Sequence, residues 1–453
     1  KKGHKMQPQI LSKKLIKPAN PTPPNLRRLK ISSIDQFHPP LYVSHIFCYP
    51  ARNQDDRVHN PERINQLQKS LSEILTLFYP LSGRYSKKNL SIDCNDNGIE
   101  FSEAKIDCNL APFLVNDAGS KQLIRFVQCQ TESASAPLVS VQCNVFECGG
   151  LVIGVNISHR IVDATVFSKF LDGWAKACRI GIHEVNPPEF NLFSLLPVRE
   201  ILPENGYVPP LKPGLKISSK TFVFNLLSIS NTRKYSEISD EGTLNPTRLQ
   251  LVTGVIWKAL IRASEARHGK LRPSVIAHML NLRQRTPLPI SDDCCGNLIM
   301  PIIARFTPEK KKKSYNNLEF QDFSFLLRNA ITNVENECGK LQNGDDLFSM
   351  VKNAWREANR EFDREETDAY FFTSNCKMPF YLDFGWGKPT RTCHVQSEVE
   401  MIVLVDSKNG EGIEARICLD EITMKFFEQD HDIIAFTLQE QQHDRPIFLR
   451  SRC

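Results

Sequence analysis

No Cys-x-x-Cys pair occurs in this chain, although it carries fourteen cysteines. The closest two are the neighbours Cys294 and Cys295, and several stand in apolar segments, as Cys143, Cys178 and Cys418 do. Free cysteine in such a setting behaves as a small hydrophobe, which argues against a zinc or redox motif and for a reducing compartment. There is no Gly-x-Ser-x-Gly elbow, so the sequence offers no nucleophilic serine of the hydrolase kind. A metal-ligand cluster and a glycine-rich phosphate cradle are missing too, and no bound metal is expected. No apolar run approaches membrane-spanning length, and the N-terminus lacks one of signal-peptide length. A cytoplasmic protein without a membrane partner is the expectation. Concentrated charge is also lacking. The net charge is only +6, with basic residues spread along the chain; this helps attract an anionic ligand but predicts no nucleic-acid partner. The one basic run, Lys310 to Lys313, reads as a solvated loop after Pro308.

At 453 residues the chain exceeds one ordinary core, and ~150 residues per domain suggests two or three units. Prolines crowd between Pro187 and Pro213, with Gly206 and Gly214. Proline blocks helix and central strand alike, so an irregular crossover is predicted over residues 187–214. It separates an N-terminal domain (residues 6–186) from a C-terminal one (215–453). Asn60-Pro61 is read as opening a helix with Ile64, Leu67, Leu71, Ile74, Leu75 and Phe78 on one face. Leu151 to Ser158 reads as a strand and Ala164 to Arg179 as a helix, stopped near Gly181. Asn245-Pro246 begins another helix, running to Gly269, and Asn409-Gly410 turns a hairpin. Strands and helices are mixed in both halves, so the class is α/β or α+β.

The chain contains one His-x-x-x-Asp, His159 to Asp163. His159 follows a buried-type strand and precedes a helix, a junction that can aim a side chain into a cleft from rigid support. With eleven histidines in the chain, the spacing alone carries little. Asp163 stands at the helix start, where a carboxylate caps free N–H groups. Its expected role is to orient the His159 turn, through the backbone or an ion pair. Far downstream lies Asp383-Phe384-Gly385-Trp386-Gly387, whose Gly385 and Gly387 permit tight turns. This loop is read mainly as packing, yet Asp383 is kept with His159 in the catalytic set. If buried, its carboxylate needs a basic partner, for which Arg283 is preferred over Arg285. The Trp386 N–H is a candidate oxyanion donor.

In that order the two motifs resemble the plant BAHD acyltransferases. The resemblance extends through Pro21-Thr22-Pro23, Ile34-Asp35-Gln36, Tyr79 to Arg84, Cys94 to Gly98 and Phe146 to Gly150. Each piece is weak, but the ordered set is specific. It implies two chloramphenicol-acetyltransferase-like domains, each a mixed sheet flanked by helices. Between them would run a channel that CoA enters from one face and the acceptor from the other, with His159 in the middle. It further implies that the first motif's aspartate turns away to pair with an arginine and that the second motif lies off the substrate. One departure is Ser374-Asn375-Cys376, where relatives often carry a tryptophan in the middle. The Tyr-Phe-Gly-Asn-Cys motif of malonyl-transferring relatives is absent.

The leading expectation is a monomeric enzyme that moves acetyl from acetyl-CoA, its only cosubstrate, to a hydroxyl of a plant alkaloid or similar bulky metabolite. His159 would act as general base, in concert with attack, because neutral imidazole cannot ionise an alcohol beforehand. Thr247 and Arg248, at the opening of a helix, are candidate CoA contacts. Asn375 and Phe380 are candidates for the acceptor pocket. Alternatives are another acyl-CoA (malonyl, benzoyl, hydroxycinnamoyl), an amine acceptor, or a regulatory relative without turnover. A peptide-synthesis condensation domain normally carries a second histidine just before the catalytic one, and here that residue is Ser158.

Overall fold

The computed structural model describes residues 7–38, 41–52, 56–115, 120–128, 130, 133–199, 214–225, 246–308, 319–395 and 399–437. The fully buried apolar run Leu151–Ser158 becomes an interior strand of a six-stranded sheet. In spatial order that sheet runs Gln9–Ile16, Ile99–Ile106, Val139–Phe146, Leu151–Ser158, Tyr42–Tyr49 and Arg391–Val395. All neighbours pair antiparallel except Ile99–Ile106 with Val139–Phe146. Against this sheet pack the helices Asp56–Leu77 and Ala164–Arg179. They are fastened to each other by Trp174, whose indole N–H donates to Leu67 O and Ser70 Oγ, both at 3.1 Å.

The second six-stranded sheet runs Ile299–Phe306, Ser274–Asn281, Asp368–Ser374, Met401–Asp406, Gly412–Asp420 and Ile217–Asn225. Its three middle pairings include two parallel ones, Ser274–Asn281 with Asp368–Ser374 and the latter with Met401–Asp406. The helix Arg248–His268 is buried along most of its length behind this sheet. A Cβ at Gly254 would meet Ser324 Oγ at 2.3 Å and Phe320 O at 2.5 Å, so glycine is what lets the helix Phe320–Cys338 approach. A small three-stranded sheet, Arg28–Lys30, Ser91–Asp93 and Arg84–Ser86, completes the strands described.

Three expectations are adjusted. The helix expected to open at Asn60-Pro61 already spans Asp56–Leu77, with Pro61 inside it. Asp56 accepts from the Arg52 amide at 2.7 Å and pairs with Arg63, which fixes the extra turn, while Asn60 Nδ2 donates to Gly149 O. The helix expected from Asn245 starts at Arg248 behind a Thr247 cap, and Asn245 itself lies outside the described residues. The second motif, assigned to the C-terminal domain, lodges in the first half instead. Phe380, Leu382, Phe384 and Trp386 join its core, and Arg391–Val395 pairs with Tyr42–Tyr49. Apolar side chains follow the nearest core and not the order of the chain.

Residues 200–213 of the Pro-rich crossover and the Lys310–Lys313 run fall outside the described residues. The crossover's described part is tied to both halves. Glu189 N donates to Asp293 O, Cys295 N to Glu189 O, and Ser33 N to Leu196 O. The hairpin turns at Gly410, φ 74°, as Asn409-Gly410 predicts. No described helix is long and apolar enough to cross a membrane.

Candidate active site

Between the sheets lies a cavity that opens to solvent. The first half supplies His38, Tyr42, His45, His159 and Phe167, and the second supplies Met279, Trp355, Phe371, Asn375 and Met401. Strand alternation explains Phe371 and Asn375, which with Thr373 line the chamber while Phe372 is buried behind; Trp355 comes from the helix Gly344–Phe362.

His159 is held by its backbone. Its N–H donates to Leu41 O at 2.8 Å and its carbonyl accepts from Asn297 Nδ2 at 2.9 Å. Its Nδ1 is buried without a hydrogen-bond partner, and the ring lies 4.9 Å from that of His38, nearly parallel at 7°. Burial holds the His159 pKa below that of ordinary imidazole, although its own carbonyl, the Asp163 charge and the Asn297 amide pull upward. His38 is held well below by burial and by the charges of His159 and Arg160. A neutral ring is therefore the resting state of both.

Asp163 borders the cavity, but both of its carboxylate oxygens are already hydrogen-bonded. Oδ1 accepts from Val166 N at 2.9 Å and caps the helix Ala164–Arg179. Oδ2 accepts from Arg283 Nη1 at 2.7 Å and Leu298 N at 3.1 Å. Arg283 donates onward to the carbonyls of Cys294 and Gly296. The side chains of this ion pair are 0% and 3% exposed, so it clamps the His159 loop of the first half to the second.

Nearby, Asn297 forms a second clamp that the sequence reading missed. Its amide nitrogen donates to Asp35 Oδ1, His159 O and Arg160 O, and its backbone N–H donates to Asp35 Oδ1 at 2.7 Å. Asp35 is 2% exposed and also accepts from Ser32. The Ile34-Asp35-Gln36 signature thus fixes the seam, as Thr22 and Asp96 of two other signatures fix each other. His38, Asn297 and Trp355 gave no periodic or spacing signal. Only proximity to the Asp35 signature singles out His38.

The second motif is a structural loop. Asp383 Oδ1 accepts from Gly385 N at 2.8 Å and Gly387 N at 2.9 Å, folding the loop on itself. Gly385 and Gly387 have φ of 116° and 98°, which side-chain-bearing residues resist. Asp383 is absent from the cavity wall, so its place in the catalytic set is corrected. Its cation is also not Arg283, which Asp163 engages, but Arg179 at 3.8 Å. The oxyanion assignment of Trp386 is likewise corrected. The indole lies among Tyr49, Phe384 and the Arg63 guanidinium, and its buried N–H is unpartnered there, away from the cavity.

Asn375 is on the cavity wall, whereas Phe380 stacks on His45 at 4.7 Å and lines an adjoining alcove. The Thr247 hydroxyl is consumed in a capping box with Gln250. Arg248 reaches Gly410 O at 3.0 Å and Asp406 at 3.5 Å, and its side chain remains 43% exposed. Among the described residues no cluster could hold a metal ion. A separate cavity, lined by Arg267, Arg272, Asp368 and Asp420 among others, contains none of the motif residues.

Comparison with known proteins gives the same picture of the whole chain. A family model described as "Transferase family" matches residues 6–433. An acetyl-CoA-benzylalcohol acetyltransferase of Clarkia breweri is 36% identical over 437 residues, covering 94% of this chain and 98% of that protein. Vinorine synthase of Rauvolfia serpentina is 33% identical over 432 residues, covering 92% and 96%. The crystal structure of vinorine synthase superposes with a TM-score of 0.78 at 29% identity, covering 95% of this chain and 98% of that one. With a family model spanning nearly its full length and such relatives along it, the chain belongs to the transferase family of the plant BAHD acyltransferases.

Proposed function

We propose that this protein transfers an acetyl group from acetyl-CoA to a hydroxyl of a bulky plant metabolite, an alkaloid or a compound of similar size, with His159 as general base. The observation that carries this is the neutral, backbone-clamped His159 on the wall of a mainly apolar chamber between the two halves. The relatives' names supply the donor and the hydroxyl class.

In this reading the acceptor oxygen attacks the thioester carbonyl as His159 takes its proton. Nδ1 is buried, so Nε2 is the nitrogen left for the transfer. The new C–O bond gives a tetrahedral intermediate. Its collapse breaks the C–S bond, and the proton passes from the imidazolium to the departing CoA thiolate. Low polarity around the ring keeps the base unprotonated before attack. Asp163, Arg283 and Asn297 act through position alone, holding the His159 loop against the second half.

CoA is placed on the second half, near Arg248. The Thr247 hydroxyl is already committed to its cap, so Arg248 is the side chain offered to a phosphate. Asn375 and Met401 line the acceptor's side. The protein is read as a monomer, and its buried free cysteines suit the cytosol, a reducing compartment.

The test is release of free thiol from acetyl-CoA in the presence of bulky alcohols. His159→Ala is expected to lower turnover by roughly 10²–10⁴ while leaving the melting temperature close to wild type. Near-normal turnover in that folded variant would remove His159 from the mechanism.

A further inference from the structure

His394 is a buried histidine that the mechanism above does not use. It lies on the strand Arg391–Val395, which the second half lends to the first sheet, directly opposite His45. The two rings are 6.4 Å apart at 80°. His45 is fully engaged, with Nε2 bonded to Thr392 Oγ1 and its ring stacked on Phe380. By contrast, His394 Nδ1 is buried with no partner, which leaves Nε2, as in His159, as the nitrogen a ligand can meet.

The position of His394 says which ligand. Beside the chamber is a small alcove bounded by Thr221, Met378, Phe380, Tyr381 and Arg416. The chamber and alcove share three wall residues, His45, His394 and Val403. His394 therefore stands on the boundary shared by the space in front of His159 and a second space beyond it, the neck that a ligand reaching both would cross.

We propose that the acceptor spans this neck, with its reacting hydroxyl at His159, a second oxygen or nitrogen function hydrogen-bonded to His394, and the remainder in the alcove. This rests on the acyltransferase reading and narrows it, to a polyfunctional bulky alcohol in preference to a small alcohol with one polar group. His394 is then a specificity-determining residue. Burial, with the charges of Arg416 and His159, pushes its pKa down to about 3. The ring is neutral, and its Nε2 donates or accepts according to the tautomer, which suits an uncharged hydroxyl, carbonyl or ether.

The experiment uses the full chain, acetyl-CoA and two polycyclic alcohols that differ only in one distal hydroxyl. Wild type is expected to favour the diol by about tenfold or more in kcat/KM, since a site built to bond a polar group discriminates against its absence. His394→Phe should abolish that preference, and His394→Asn should restore part of it. Neither should move KM for acetyl-CoA by more than about twofold. Preference retained in His394→Phe overturns the proposal, as does an effect confined to acetyl-CoA, which would put the donor at the neck. Wild type that acetylates both alcohols equally overturns the neck alone. Absence of CoA release with either alcohol overturns the acyltransferase reading and the neck with it. Should His394→Phe fail to fold, His394→Asn and the wild-type ratio carry the test.

Discussion

The loops of the two motifs use the same device for different ends. Each carries one aspartate whose carboxylate accepts backbone N–H groups, Val166 and Leu298 on the two oxygens of Asp163, Gly385 and Gly387 on one oxygen of Asp383. Asp163 is fully buried at the seam and paired with Arg283 across it. Asp383 is 27% exposed, bonds within its own loop and faces Arg179 only at 3.8 Å. One carboxylate joins two halves beside the chamber, and the other shapes a loop within one core. Motif membership alone does not tell chemical from structural residues. The reach of each side chain does.

Removing the first carboxylate should break the comparison most visibly. Asp163→Ala leaves the Arg283 guanidinium buried without its anion and uncaps the helix Ala164–Arg179. Breaking one side of a buried pair costs about 3–5 kcal/mol. Thermal melting should fall sharply, and kcat should fall by about two orders of magnitude as the His159 loop loosens. An unchanged melting temperature with all activity lost would instead make Asp163 a reacting group.

Asp383→Ala should do less. It removes the acceptor for two amides, worth roughly 1 kcal/mol each in net stability. The melting temperature should drop by a few degrees, while kcat/KM of the folded fraction stays within about twofold. A folded Asp383→Ala with wild-type melting and no turnover would return Asp383 to the catalytic set.

The elements most legible in the sequence were those with strong periodicity. The strand Leu151–Ser158, the helix Ala164–Arg179 and the Asn409-Gly410 hairpin stand where their patterns put them. Burial on both faces makes a continuous apolar run, and an amphipathic helix repeats every three or four residues. The neighbours of His159 were not legible, because they come from distant segments. Trp355 and Asn297 reach the seam from other elements without any local pattern. The crossing of Arg391–Val395 onto the first sheet could not be read either, since a strand's own alternation does not name its partner. The partner of Asp383 was misread for a related reason. Arg283 looked available in sequence, but the three-dimensional seam had already committed it to Asp163.

The smallest expected effect sharpens the comparison electrostatically. The Asp163 charge raises the His159 pKa, whereas Asp383 is not among the groups that act on it. Asp163→Asn keeps an amide oxygen for Val166 N but removes the charge and sets its NH2 against Arg283 and the Leu298 N–H, so the seam is weakened and protonation of His159 becomes harder. The acid limb of kcat/KM, already below ordinary imidazole because of burial, should move to still lower pH. In Asp383→Asn it should stay in place. The profile must be divided by the folded fraction at each pH. His394 and His278 titrate near 3 and 4 in the fold and near 6.5 unfolded, and His38 and His45 are also held well below 6.5. A depressed folded pKa means stability that is complete above about 6.5 and drains away as pH falls toward the folded values. After that correction, a limb that moves upward in Asp163→Asn, or moves equally in Asp383→Asn, would show that the Asp163 charge does not reach the base and that the two loops differ in position alone.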